Sequence, residues 1–241
     1  MRKSIYLPDA GREELIELPV ASFLIRHNQG NVLFDTGCHP SVADNAEERW
    51  GSLAKLMTPI SRAQDNVLVG LRDLGLEPDD VDLVVSSHLH PDHCGCNAFF
   101  HKATIICHAS ELEAAQRPQA EKAGYLASEW NHGGSFETID TQRDVFGDDK
   151  LMLIPLPGHT PGTRARSLHL STPGHFLLAS DTVSLRETLD REIVPRNTWK
   201  PELLLKSFFE VRRIEAAGVT VICGHDAQQW QTLKKGADAY H

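Results

Sequence analysis

The apolar run Val81-Asp-Leu-Val-Val85 is followed at once by Ser86-Ser87-His88-Leu89-His90-Pro91-Asp92-His93, which packs three imidazoles and a carboxylate into six positions. In extended backbone, side chains two apart share a face, so His88 and His90 point the same way and can grip one ion. Pro91 turns the chain and permits a helix to begin, which lets Asp92 and His93 face a second ion. Three further donors also follow apolar runs: His159 in Pro157-Gly158-His159-Thr160-Pro161-Gly162, Asp181 in Leu178-Ala-Ser-Asp181-Thr, and His225 in Cys223-Gly224-His225-Asp226. Imidazole nitrogen and carboxylate oxygen suit zinc and similar borderline divalent ions. The chain therefore reads as a rigid scaffold that presents metal donors on loops at the ends of its strands.

Strands and helices mix along the whole length. Residues 18–26 and 31–35 read as the arms of a β-hairpin, closing in Asp35-Thr36-Gly37. Val67, Leu68, Leu71 and Leu74 give residues 63–74 a helical face that stops at Gly75. After the strand at 81–85, residues 104–107 form another. Ser110-Glu-Leu-Glu113 has capping-box spacing, in which hydroxyl and carboxylate satisfy orphan amides at a helix start. Residues 151–156, 165–170 and 176–179 read as strands, the last two joined by a turn at Thr172-Pro173-Gly174. Residues 201–217 form a helix with proline in its first turn and Gly218 past its end; a strand at 219–223 and a short helix follow. Residues 116–148 show no readable period. No repeat, low-complexity segment or Pro/Gly/Ser-rich linker divides the chain, so residues 1–241 read as one domain of sheets covered by helices.

Composition narrows the function classes. A net charge of −9, from 24 Lys+Arg against 33 Asp+Glu, opposes broad binding to nucleic acid, which needs cationic side chains to neutralise phosphates. No apolar stretch follows Arg2 and Lys3 as a secretory signal requires, and none approaches the roughly 20 residues that span a bilayer. A cytoplasmic protein without a membrane partner is expected. The cysteines, Cys38, Cys94, Cys96, Cys107 and Cys223, are odd in number and lack a CxxC pair, so they read neither as a disulfide framework nor as a cysteine zinc site. Cys107 and Cys223 read as core residues; Cys94 and Cys96, beside the histidine cluster, read as packing, with support of the ligands as the alternative. Histidine is the abundant reactive residue, at 13 of 241. His27, His39, His101, His108, His132, His169, His175 and His241 lack ligand spacing and are set aside as surface or packing residues.

In pattern and order, HLHPDH, GHTPG, the strand-ending Asp181 and the closing GHD resemble the metallo-β-lactamase superfamily, from the early hairpin with Phe34-Asp-Thr-Gly37 to His225. The resemblance implies an α/β fold, a four-layered αββα sandwich with metals at one edge. It implies that His88, His90 and His159 bind one metal, that Asp92, His93 and His225 bind the other, and that Asp181 bridges them. Two divalent ions, Zn2+ by preference, acidify a bound water toward a pKa of ~7. The expected enzyme is thus a dinuclear metal-dependent hydrolase.

Comparison of motifs narrows the branch. Asp181 stands where single-cysteine β-lactamases need a cysteine, and His90 where di-iron flavoproteins carry glutamate. Only 16 residues follow His225, too few for the helical domain with which hydroxyacyl-glutathione hydrolases hold glutathione. No Lys/Arg stripe suggests an RNA-processing nuclease. The chain looks most like the N-acyl-homoserine lactonases, which act in quorum quenching, and their pyridoxolactonase relatives, on the strength of Glu17-Leu-Pro-Val20, FDTG, Leu74-Gly-Leu-Glu-Pro-Asp-Asp80, GHTPG and GHD. It departs at Ser184, where lactonases of that branch place a tyrosine against the lactone carbonyl; Tyr125 is the substitute considered. The implied reaction opens a lactone ring by a hydroxide bridging the two ions, with Asp92 as proton shuttle. Asp35 and Asp226 read either as groups that orient ligand histidines or as turn and cap residues. Trp50, Trp130 and Trp199 are candidates for lining the pocket. A hydrolase of another ester, fused-ring lactone or phosphodiester is the first alternative, and a non-catalytic metal-binding protein the second. The partner is a small lactone or ester, and the chain is a monomer or homodimer.

Overall fold

β1 (Phe23–His27) and β2 (Gly30–Phe34) pair antiparallel as the expected hairpin. The computed structural model describes all residues except 135 and 171–173. The first arm starts at Phe23, not at residue 18, because Pro19 has no N–H to donate to a ladder and its carbonyl is taken by His225. The chain divides into two compact units, residues 20–138, and residues 1–19 with 139–241.

In the first unit the hairpin leads to α1 (Val42–Trp50), kinked at Asn45, and to α2 (Val67–Asp73). β3 (Leu83–Val85) lies parallel to β2 and runs into α3 (Pro91–Cys94). β4 (Thr104–His108) lies parallel to β3 and is followed by α4 (Ala109–Ala115), α5 (Ala127–Trp130) and β5 (Phe136–Ile139). The sheet order is β1-β2-β3-β4-β5. Leu33, Val84 and Ile105 are register neighbours across three strands and bury one face with Leu71 of α2. Arg49 and Trp50 of α1 both donate to the buried carboxylate of Glu129 in α5, which ties two helices that share no apolar period.

The second unit holds β6 (Arg143–Asp144), β7 (Leu151–Pro155), β8 (Arg164–His169) and β9 (His175–Leu178), then α6 (Arg186–Asp190), α7 (Pro201–Ala216), β10 (Thr220–Ile222) and α8 (Ala227–Thr232). Its order is β10-β9-β8-β7-β6, parallel only between β10 and β9. Leu204, Phe208 and Val211, one stripe of α7, bury against Ala165, Leu177 and Val221 of the strands. Burying Phe208 alone stabilises by about 2–3 kcal/mol.

Several local expectations need correction. α2 begins at Val67, because the Asn66 side chain accepts from the amides of Leu68 and Val69 and caps the helix there. Ser110 is not a cap: the Nδ1 of His108 accepts from the Ser110 amide, so α4 starts one residue after His108 and Ser110 lies in its first turn. α1, α5 and α6 have too little periodicity to be read. The turn expected at Thr172-Pro173-Gly174 lies largely outside the described residues. No helix among the described residues is long and apolar enough to cross a membrane.

Candidate metal centre

In the first unit, strand β3 delivers His88 and His90, and α3 delivers Asp92 and His93. The end of β2 holds this loop in place. Asp35 accepts from the Ser87 amide (2.6 Å) and hydroxyl (2.7 Å) and from His93 Nδ1 (2.8 Å). Thr36 N donates to His93 O at 2.7 Å, and Gly95 N donates to Gly37 O at 2.8 Å. Gly95 is required there, since a Cβ would come within 2.4 Å of the His39 amide nitrogen. Asp35 takes a left-handed φ of 55°, unusual outside glycine and tolerated best by Asp and Asn. Backbone strain of this kind persists where surrounding contacts over-determine it.

For neutral imidazoles, these contacts select the tautomer. The Ser87 hydroxyl gives its proton to Asp35, so at 3.0 Å it accepts from His88 Nδ1 and leaves His88 Nε2 unprotonated. Ala123 O accepts from His90 Nε2 at 2.9 Å, which leaves His90 Nδ1 unprotonated. His88 Nε2 and His90 Nδ1 lie 3.1 Å apart. Two lone pairs at that distance repel each other unless a cation takes both. Two nitrogens on one tetrahedral zinc stand about 3.3 Å apart. By the same reasoning, donation from His93 Nδ1 to Asp35 leaves its Nε2 with the free lone pair, 3.6 Å from Asp92 Oδ2.

The second unit contributes His159, Asp181 and His225. Asp181 directs Oδ2 to His159 Nε2 (3.4 Å) and Oδ1 to His225 Nε2 (2.8 Å), one oxygen to each imidazole, as a bridging carboxylate would. His225 Nδ1 donates to Pro19 O at 2.8 Å, which fixes its tautomer with Nε2 toward Asp181. Two glycines permit this arrangement. A Cβ on Gly224 would meet Ser180 O at 2.7 Å, and one on Gly158 would meet the backbone of Leu204 at 2.4 Å. His159 O and Gly158 O accept from the amides of Trp199 and Lys200, just before α7. Ser180, beside Asp181, is again left-handed, at φ 47°.

His88, His93, His159, Asp181 and His225 are buried, and His90 and Asp92 partly so. In the first unit the outer nitrogens of His88, His90 and His93 are anchored, and in the second that of His225; imidazole and carboxylate donors of this kind fit divalent ions. Asp35 is the anchor the sequence suggested. Asp226 is not: it caps α8 through Gln229 N and accepts from Arg186 N, and it meets no ligand histidine. Ala123 O and Pro19 O are anchors that sequence reasoning missed. Cys94 and Cys96 are core residues whose thiols burial pushes up, that of Cys94 well above its usual range and that of Cys96 to about 12. Trp50 and Trp130 are buried among helices, whereas Trp199 is half exposed. Ser184 is buried and its carbonyl accepts from His225 N. Tyr125 packs on the His90 ring with centroids 5.3 Å apart, in a core cluster rather than on a lid.

Residues 15–225 match the metallo-beta-lactamase superfamily, a span that covers every one of these donors. The chain belongs to this superfamily. Within it, the chain is 30% identical to the N-acyl homoserine lactonase AttM of Azorhizobium caulinodans, over 93% of this chain and 88% of that protein. It is 30% identical to the N-acyl homoserine lactonase AiiB of Agrobacterium fabrum, over 94% and 86%. The solved structure of an N-acyl homoserine lactone hydrolase, with N-hexanoyl-L-homoserine bound at its catalytic metal centre, superposes with a TM-score of 0.88 at 26% identity, covering 99% of this chain and 93% of that one. The metallo-β-lactamase fold, α/β with two mixed sheets and helices, is thus the fold of this chain, as the motifs implied.

Proposed function

We propose that this member of the superfamily is a dinuclear metal hydrolase that opens lactone rings, with N-acyl homoserine lactones as the substrate class. The observation that carries the metal chemistry is the Asp181 carboxylate, with one oxygen toward His159 and the other toward His225, whose tautomer Pro19 fixes. The substrate class rests on the two lactonase relatives, each matched over more than nine-tenths of this chain. His88, His90 and His159 would hold one ion and Asp92, His93 and His225 the other, with Asp181 between them. Zinc is the proposed ion, since imidazole and carboxylate donors suit it. When bound, such a pair supplies an acidified water and Lewis-acid stabilisation of the carbonyl oxygen.

The chain's own residues orient the donors and manage the proton. Asp35, Ala123 and Pro19 fix the tautomers of His93, His90 and His225. Asp92 is partly exposed, and its carboxylate can receive the proton of the attacking water and return it to the ring oxygen as the acyl C–O bond breaks. Water is thereby added across the ester: hydroxyl to the acyl carbon, hydrogen to the departing alcohol. Residues 1–241 are proposed to act as a single hydrolase domain, since one family match runs through both compact units. We place it in the reducing cytoplasm, where five free thiols persist, as a monomer or homodimer without nucleic acid or membrane partners.

Ser184 favours a second reading. No phenol stands three residues after Asp181, so a fused-ring lactone, another carboxylic ester or a phosphodiester is the alternative substrate. A pH-indicator hydrolysis assay, with and without chelator, separates these on a panel of acyl-homoserine lactones, a fused-ring lactone, aryl esters and bis-aryl phosphates. Chelator-sensitive turnover with acyl-homoserine lactones ranking first is expected; lactones ranking last would overturn the lactonase reading, and an inert panel would leave a metal-binding protein.

A further inference from the structure

Leu89, between the ligands His88 and His90, is buried, and its amide donates to the carboxylate of Glu111 at 3.0 Å. Glu111 is itself fully buried. It occupies the third position of α4, counted from the His108 cap. A glutamate there ordinarily turns back to its own helix's cap amide. This one reaches the metal loop, 22 residues earlier in the chain. A carboxylate removed from water is costly to bury without compensating hydrogen bonds, so its placement commits the fold to holding the Leu89 amide.

The same short stretch reaches the loop twice more. Ala123 O accepts from His90 Nε2, and Tyr125 packs on the His90 ring. Gly124, at φ +91°, passes so close that a Cβ would lie 3.0 Å from His90 Cδ2 and Nε2. Residues 111–125 thus grip both the backbone and the second imidazole of the His88-Leu89-His90 segment.

We infer that Glu111 is a positioning residue, whose hydrogen bond to Leu89 N sets the spacing of His88 Nε2 and His90 Nδ1 for one ion. It touches neither substrate nor reacting atoms. The inference rests on the proposed metal centre and goes beyond it, because the residue lies outside every ligand motif. Since Oε1 accepts from a backbone amide, the effect belongs to the acceptor and its reach. Glu111→Gln keeps both, whereas Glu111→Asp keeps the charge and withdraws the acceptor by one methylene.

The test is a stepwise zinc titration of the apo-protein against a chromophoric chelator, giving two binding constants for wild type, E111Q and E111D. E111D is expected to weaken one ion by about 10-fold or more relative to the other, the range seen for groups that support metal ligands, with E111Q within about threefold of wild type. General destabilisation would weaken both ions together. An unchanged ratio in E111D, or E111Q as impaired as E111D, would overturn the inference. Wild type binding fewer than two zinc ions would instead count against the metal centre itself.

Discussion

Four of the candidate histidines, His88, His90, His93 and His225, are oriented by what holds the far nitrogen. Asp35 is the most heavily used anchor, since a single carboxylate takes the amide and hydroxyl of Ser87 and the Nδ1 of His93. Removing one of its acceptor oxygens leaves one of these donors without its partner and loosens His93. Asp35→Asn is therefore expected to lower metal affinity by about 10–100-fold, as read by chelator competition; an unchanged affinity would show that His93 is held by its neighbours alone. This anchor was legible, because an aspartate closing an early strand in Asp-Thr-Gly stands out. Asp226 has the same sequence setting but caps α8, because a strand-ending Asp followed by a helix serves either purpose and the chain alone does not choose.

At the scale of elements, the periodic segments were readable and the irregular ones were not. β2, β3 and α7 bury regular apolar faces, so their periods are visible. α1 and α5 are joined through the Arg49–Glu129 pair and the Trp50 indole, which no helical period encodes. The glycine of the GHTPG loop illustrates a second kind of constraint. Gly158 combines a φ of +143° with direct contact on the start of α7. Gly158→Ala is expected to destabilise the protein by about 2–5 kcal/mol, from left-handed strain and overpacking together. Denaturant unfolding measures this directly, and a cost below about 1 kcal/mol would mean that α7 can retreat without penalty.

For the molecule as a whole, candidate donors that are mostly buried, four of them with far nitrogens already held, lead to the expectation that metal and folding are linked. Ions that bind only the folded chain stabilise it by about 4 kcal/mol each at a thousand times their Kd. Treatment with chelator is expected to lower the melting temperature by on the order of 10 °C for a chain of this size, and zinc to restore it. A melting temperature indifferent to chelator would argue that the donors need no ion to pack. The family, the α/β fold and the candidate donors were legible in the sequence alone. Side-chain identity at close spacing is written directly in the chain, and HLHPDH, GHTPG and GHD follow apolar strands in a recognisable order. Only the tertiary structure revealed how the donors are held. Ala123 and Pro19 act through carbonyls that every residue possesses, and Glu111 acts on an amide 22 positions away. Groups common to all residues carry no sequence signal, so their roles arise only when folding brings them to a particular imidazole or amide.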